Sequence, residues 1–557
     1  MTSSSGFTIP RGWRRPDVLL ASLGINTLAL AMPMVVLQVY DRIIPHQAMG
    51  TFMALMIGML GVVILESMLR IFRSAILAWS GARFEHRESM DAMHQVLHTD
   101  TLAFNRETSG DYLTRLQSVE EINQFYSGQS MLLLMDFPFV ILFLSLIWFI
   151  SGELVQIPLF LLAIFAAVSI LLGRQLHNAL KARNITDSRR QNFLIEVLSG
   201  IHTVKSMAME ALMLRRYERL QAQSAESIRK LAHINSVVQG FGSTFSQVAM
   251  VSFVSFGSLS VISGDLTVGA LAAGTMLTGR VLQPGLKAMG LWTQFQSVRL
   301  SLDRRQEIDQ MPAEISGEYD GPEPLRGDIR VDSIHFRYPG QEQWLLEDLS
   351  LEVPAGGSVG ITGNNGTGKS TLISIMTGFM HPQQGDVLLD GRNIKAYRQE
   401  FLRQQIGFMP QHGMLYEGTI LENMTLFREG EAIDQAMELS RELGLGEIIA
   451  RMPDGLDTQI GGSAVNSLSE GVRQKIVMVR SLIGHPNIIL FDDANANFDI
   501  KNDAKLMALI KKMKGSRTLV IVSHRPSFLR ICDKQFELRD GQLHAQQQRK
   551  LKMVFKK

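Results

Sequence analysis

The sequence predicts a multi-domain protein: an all-α bundle of six membrane-spanning helices, then a soluble α/β domain built around a phosphate-binding loop. Three observations predict this. Long apolar runs fill the chain up to about residue 292. From about residue 326 the composition turns to that of a soluble α/β domain. The stretch GNNGTGKST, at 363–371, follows an apolar strand pattern and leads into a helical one.

The totals exclude several classes. At 557 residues the chain has room for several domains. Lys+Arg 55 against Asp+Glu 53 leaves a formal net charge of +2, which gives no argument for a nucleic-acid partner. One cysteine, Cys532, excludes an intramolecular disulfide and a cysteine-rich metal site; packing is its expected role. The 30 methionines lie mainly in spans and helices, where they fill irregular gaps.

Taken in order, residues 1–17 form a short N-terminal segment and residues 18–300 the membrane domain. A helix needs about 20 apolar residues to cross the hydrocarbon core. Six runs qualify, near 18–40, 51–72, 131–150, 154–172, 236–262 and 271–292. The last two are rich in Gly, Ser and Thr, which suits close helix contacts over lipid contact. Arg11, Arg14 and Arg15 precede the first run. The two long polar connections carry Arg73, Arg83, Arg87, Arg106 and Arg115, then Arg183, Arg189, Arg190, Arg215, Arg216 and Lys230. The short connections are nearly free of basic residues, so both termini and both long connections are expected in the cytoplasm. Those connections read as helical extensions with turns near 104–112 and 199–211. Within the spans, Glu66 and Arg70 can pair at i,i+4, while Asp136 and Arg280 are expected either to face the bundle interior or a wet cavity on a substrate path, or to pair structurally or snorkel to the interface. A linker at 301–325 leads to the nucleotide-binding domain at 326–545, and a basic tail at 546–557 ends the chain. That tail is either free or in contact with anionic lipid.

The loop at 363–371 fits G-x-x-x-x-G-K-[ST] in the required context of strand and helix. Gly363, Asn364, Asn365, Gly366, Thr367, Gly368, Lys369, Ser370 and Thr371 form the expected ATP cradle. Glycines let backbone N–H groups turn toward phosphate, and the helix start adds a favourable dipole. Lys369 reaches the β/γ-phosphates and Ser370 ligates Mg²⁺. Further elements follow in order: Tyr338 in HFRYPG, Gln411 in GFMPQHGMLYEGTILENM, LSEGVRQKIVMVRSL, NIILFDDANANFD, and His524 in TLVIVSHRPS.

This series resembles the ATP-binding-cassette (ABC) exporters over nearly the whole chain. LAMPMVVLQVYDRIIP, MDFPF and GDLTVGALAAGTMLTGRVLQPGLKAMGLW are similar more narrowly to the ABC transporters of type I protein secretion. The resemblance implies the type I exporter fold and a role for each residue. Tyr338 stacks on adenine. Gln411 senses Mg²⁺ and the γ-phosphate and touches the membrane half. Asp492 holds Mg²⁺ through water, Asp493 orients the attacking water, and His524 contacts the γ-phosphate. Asp499 lies at a dimer seam, and Ser469 and Gly471 close on ATP held by a second cassette. The unit implied is therefore a dimer, homomeric or heteromeric.

Two departures stand out. The signature L-S-G-G-Q of the family reads Leu468, Ser469, Glu470, Gly471, Val472 here. An ionised Glu470 aimed at phosphate from about 4 Å meets repulsion of about 4 kcal/mol at an effective dielectric of 20. It is expected to rotate away, while Val472 lacks the glutamine amide's hydrogen bonds. The usual glutamate is Asp493, one methylene shorter, and a misplacement of about 1 Å can lower a rate about 10²-fold. Mg-ATP binding is expected to be intact and hydrolysis slow.

By resemblance, the chain reads as an ATP-driven inner-membrane subunit of a type I secretion system, embedded in membrane lipid. It exports a polypeptide with a periplasmic adaptor and an outer-membrane channel, the cassette facing the cytoplasm. An N-terminal peptidase-like domain, and leader cleavage with it, is not expected. Two alternatives stay open: a catalytically weak, ATP-binding half of a heteromeric transporter, and an exporter of a lipid or small molecule.

Overall fold

The computed structural model describes residues 16–320, 324–461 and 468–546. Arg11, Arg14, Arg15 and the basic tail lie outside the described residues. The chain divides into two compact units, Met1–Thr99 with Ala103–Pro312 and Asp100–Leu102 with Ala313–Lys557.

The first unit is helical wherever the sequence carries long apolar runs. Pro16–Leu28 and Ala31–Gln38 cover the first, followed by a π-turn at Val39–Ile43. Met49–Leu97 is one helix of 49 residues. At about 1.5 Å per residue it is more than twice the length that a bilayer core of about 30 Å needs. Gln156–Ser199 and Glu210–Ile262 are similarly long. The third run is two helices, Gln129–Asp136 and Phe139–Ser151, broken where Pro138 lacks a backbone donor. Among the described residues, four continuous segments are long and apolar enough to span: Pro16–His46, Met49–Leu97, Phe139–Ser199 and Glu210–Ile262. Phe139–Ser199 carries two of the expected runs, joined by a turn at Gly152–Val155. The helix Val268–Asp309 is less apolar, with Arg280 and Pro284 inside it, and runs past residue 300. Large apolar side chains such as Ile57, Ile71 and Phe149 point outward, as lipid requires.

Three local features organise this unit. Small residues mark helix contacts: a methyl group on Gly257 would meet Leu271 at 2.4 Å, and one on Gly274 would meet Phe253 at 2.7 Å. Arg73, read from sequence as part of a cytoplasmic connection, is instead 4% exposed. It donates to Asp136 Oδ1 at 2.7 Å and to Ser22 Oγ at 2.8 Å, while Asn26 donates to the same carboxylate at 3.0 Å. Asp136 is thus paired, joining three helices. Glu66 and Arg70 form the expected pair.

The third feature joins the two segments that carried the secretion-type resemblance. Asp41, in the π-turn, accepts from Thr267 Oγ1 at 2.6 Å and from the Gly269 backbone N–H at 2.8 Å. Thr267 caps the same helix start by accepting from the Ala270 N–H at 3.0 Å. Gly269 is required by this approach, since a Cβ there would lie 2.5 Å from Asp41 Oδ1 and 2.7 Å from the Leu37 carbonyl.

In the second unit, a six-stranded sheet runs in the order Gln542–Ala545, Lys534–Arg539, Ser358–Thr362, Thr518–Val522, Ile488–Asp492, Ile406–Met409. All neighbours are parallel except the edge hairpin. The central strands Ile488–Asp492 and Thr518–Val522 are buried throughout, which explains their unbroken apolar sequence. An antiparallel four-stranded sheet, Leu346–Val353, Ile329–Phe336, Gln384–Leu389 and Arg392–Asn393, shares a core with its phosphate-loop face. A second core, beneath the helix Glu470–Leu482, contains Cys532, whose thiol burial pushes up to about 12.

The Asp41 cap generates a stability prediction. Gly269→Ala should lower the thermal midpoint in detergent, by an amount matching about 1–3 kcal/mol of overpacking. An unchanged midpoint would contradict the cap.

Candidate nucleotide site

Parallel strands deliver the site to one edge of the sheet. Ser358–Thr362 ends at Gly363, and the loop closes at Gly368, the residue before the helix Lys369–Met376. Gly368 has φ 99°, and a Cβ on it would meet Leu346 at 2.9 Å, so a side chain is excluded on both counts. Lys369 is 8% exposed and donates to the carbonyls of Gly363 and Asn364, each at 2.8 Å. Burial pushes its ammonium below the usual lysine range, with Asp493 and Asp492 opposing that shift.

The neighbouring strand Ile488–Asp492 ends in the acidic pair. Asp492 is 8% exposed; burial raises its pKa, the Ser370 hydroxyl lowers it by hydrogen bonding, and Asp493 adds to the rise. Asp493 takes a left-handed conformation, φ 45°, and its N–H donates to the Val522 carbonyl at 3.0 Å. That conformation costs a non-glycine residue about 1 kcal/mol and persists only where neighbours fix it. His524 fixes it here. Its backbone N–H donates to Asp493 Oδ1 at 3.1 Å, and its ring Nε2 lies 3.2 Å from Oδ2.

Gly368, Lys369, Ser370, Asp493 and His524 line one cavity of about 600 Å³, together with Asn365, Gly366, Thr371 and Gln411; the Asp492 side chain is not part of its lining. Tyr338 stands at the cavity, its hydroxyl 2.9 Å from Thr371 Oγ1. Sequence reasoning missed Gln341 and Leu345, which also line it; their position just after Tyr338 was the available signal. The structure thus brings together Tyr338, the phosphate loop, Gln411, Asp493 and His524.

Ser469, Gly471 and Asp499 do not line this cavity. Ser469 precedes the helix Glu470–Leu482 in an extended conformation. Glu470 lies along its own helix, Oε2 3.7 Å from Arg473 Nε. Asp499 caps the helix Ile500–Met513 by accepting from the Asn502 N–H at 2.7 Å. The segment between the acidic pair and this cap is held by groups that sequence reasoning also missed: Asn495, Asp503 and Arg525. Arg525 directly follows His524, which was its one sequence signal.

Val472 departs from expectation. Its side chain is 7% exposed and packs into the core beneath the signature helix, so it fills apolar space where a lost hydrogen bond had been inferred. Among the described residues no cluster of three or more His, Cys, Asp or Glu could hold a metal. One buried carboxylate beside a serine hydroxyl suits a hard cation that takes its other ligands from phosphate and water.

Restoring glutamine at 472 should therefore weaken the fold. Val472→Gln is expected to lower the stability of the nucleotide-binding unit by about 1–3 kcal/mol in urea titration. A variant as stable as the parent would contradict the packing described.

Comparison with known proteins agrees with this geometry. A family profile described as "ABC transporter transmembrane region" matches residues 18–284, and one described as "ABC transporter" matches 346–496. The chain is 28% identical over 527 residues to the cyclolysin secretion/processing ATP-binding protein CyaB of Bordetella pertussis, covering 95% of this chain and 74% of that one. It is 28% identical over 526 residues to the alpha-hemolysin translocation ATP-binding protein HlyB of Escherichia coli O157:H7, covering 94% and 74%. The toxin RTX-I translocation ATP-binding protein of Actinobacillus pleuropneumoniae is also 28% identical over 531 residues, covering 95% and 75%. In fold, the chain is similar to a bacterial Atm1-family ABC exporter with ATP bound, at a TM-score of 0.83 and 20% identity, covering 95% of this chain and 94% of that one. A membrane-spanning helical half and a nucleotide-binding half, each matched to the same family, make this chain an ABC transporter, an ATPase coupled to transport.

Proposed function

We propose that this chain is the ATP-driven membrane subunit of a type I secretion pathway, exporting a polypeptide from the cytoplasm. The observation that carries the reading is the single cavity shared by the phosphate loop, Gln411, Asp493 and His524, in a chain whose other half is membrane helix. Likeness along nearly the whole chain to three proteins named for toxin secretion or translocation supports the polypeptide cargo. The partners of the proposal are a second ABC half, a periplasmic adaptor and an outer-membrane channel.

In this reading Tyr338 stacks on adenine while Thr371 holds its hydroxyl. Loop N–H groups and Lys369 bind the phosphates, the ammonium leaving the Gly363 and Asn364 carbonyls to do so. Asp492 and Ser370, with Gln411, are the residues that hold Mg²⁺, whose charge offsets that of the β- and γ-phosphates. Asp493 orients the attacking water and accepts its proton, and His524 contacts the γ-phosphate. Ser469, Gly471 and Asp499 complete the site of a second chain.

A second reading is favoured by one observation: the acid that follows the strand Ile488–Asp492 is aspartate, one methylene shorter than the family's usual glutamate, and sits in a left-handed backbone conformation. Slow hydrolysis then makes this the weaker half of a heteromeric transporter. One pair of variants separates the readings. Lys369→Ala in the native cells should remove at least one polypeptide from the medium; an unchanged set of secreted proteins would contradict export. Asp493→Glu in the purified protein in lipid should raise turnover by about tenfold or more. An equal or lower rate would show that acid length does not limit hydrolysis.

A further inference from the structure

The stretch from Asp493 to Asn502 is held from two sides by cationic side chains, and no role assigned above uses either. Arg525, the residue after His524, donates from Nη1 to the Asp503 carboxylate. From Nη2 it donates to the carbonyls of Phe498 at 2.9 Å and Ala496 at 3.2 Å. Asp503 is 8% exposed, and its other oxygen accepts from Asn495 Nδ2 at 3.1 Å. Opposite, Lys475 is 1% exposed on the helix Glu470–Leu482 and donates to Asn502 Oδ1 at 2.7 Å. The backbone N–H of Asn502 in turn donates to Asp499.

This arrangement has a direction. At one end, Asp493 is bound to the loop that follows Thr518–Val522 through His524. At the other, Lys475 ties the start of the helix Ile500–Met513 to the helix that begins at Glu470. A rigid guanidinium fork that grips one carboxylate and two carbonyls suits fixing a backbone, which a lysine point charge does poorly. The loop so fixed starts from a residue in a strained conformation, and its first turn bond, Ala496 N–H to Asp493 carbonyl at 3.0 Å, returns to that residue.

We propose that Arg525 is a positioning residue for hydrolysis: by fastening the 494–499 loop to the segment that carries His524, it holds the Asp493 carboxylate against His524. The proposal rests on reading Asp493 and His524 as the hydrolytic pair. It identifies the contact that keeps a shortened acid in register.

The test uses the purified full-length protein in lipid, with single-turnover hydrolysis of Mg-ATP as one readout and affinity for a fluorescent ATP analogue as the other. Arg525→Met should slow hydrolysis by about tenfold or more, with the analogue's Kd unchanged, because the phosphate loop is untouched. Arg525→Lys should recover only part of the rate. In a His524→Ala background, Arg525→Met should add little, since the two act through one carboxylate. Removing the guanidinium alone leaves Asp503 buried without its cation, so Arg525→Gln with Asp503→Asn is the second variant, and it should show the same selective loss of rate. An unchanged rate in a folded variant, a parallel loss of rate and nucleotide affinity, or full additivity with His524→Ala would each overturn the proposal. If Asp493→Asn and His524→Ala themselves leave the rate unchanged, the reading of the pair fails. If those two abolish hydrolysis while both Arg525 variants do not slow it, only the positioning role fails.

Discussion

The carboxylate of Asp493 is bound at both oxygens by His524, and the hydrolysis proposed for the nucleotide site depends on that contact. It exists because two parallel strands, Ile488–Asp492 and Thr518–Val522, run side by side in register and end together. The backbone N–H of Asp493 then reaches back to Val522, which turns the acid into the cavity. A carboxylate one methylene shorter than the family's usual acid has less reach, and its partner His524 holds it in place. The phosphate loop, by contrast, carries no such compromise. Its lysine is buried, and its turn is fixed by a glycine where a side chain does not fit.

The membrane half follows different physics. Lipid gives no alternative partner to a polar group, so each one inside the bundle must be met by another. Arg73 and Asp136 meet with Asn26 and Ser22 beside them. Removing one member of a buried pair leaves an uncompensated charge, at about 3–5 kcal/mol. A contact of this kind is therefore hard to lose, and it ties Pro16–Leu28, Met49–Leu97 and Gln129–Asp136 into one block. Elsewhere the helices rely on small residues and close approach, as at Gly257 and Gly274.

Local features were legible in the sequence because their causes are local. The apolar runs, the phosphate loop between strand and helix, and the acidic pair at a strand end each follow from a few adjacent residues. The capping of a helix by Asp499 has the same origin, although resemblance assigned that residue to a seam. Contacts made at long range were not legible. Arg73 looked like a cytoplasmic charge because nothing nearby in sequence announces Asp136. Asp41 and Thr267 lie in two segments that the resemblance named separately, and only the fold joins them. Val472 was read through a motif's missing hydrogen bond, whereas the core beneath its helix decides its role. Arg525 passed unnoticed because its partners sit on a loop and a helix that come before it in the chain.

The central claim is that this site binds Mg-ATP through an intact phosphate loop and hydrolyses it slowly through a shortened acid. The most direct measurement is the composition of bound nucleotide. Purified protein in lipid is equilibrated with labelled Mg-ATP for minutes, separated from free nucleotide, quenched in acid and resolved into ATP and ADP. The account predicts substantial bound nucleotide that is mainly intact ATP. Bound nucleotide that is almost entirely ADP, or no retained nucleotide at all, would contradict it.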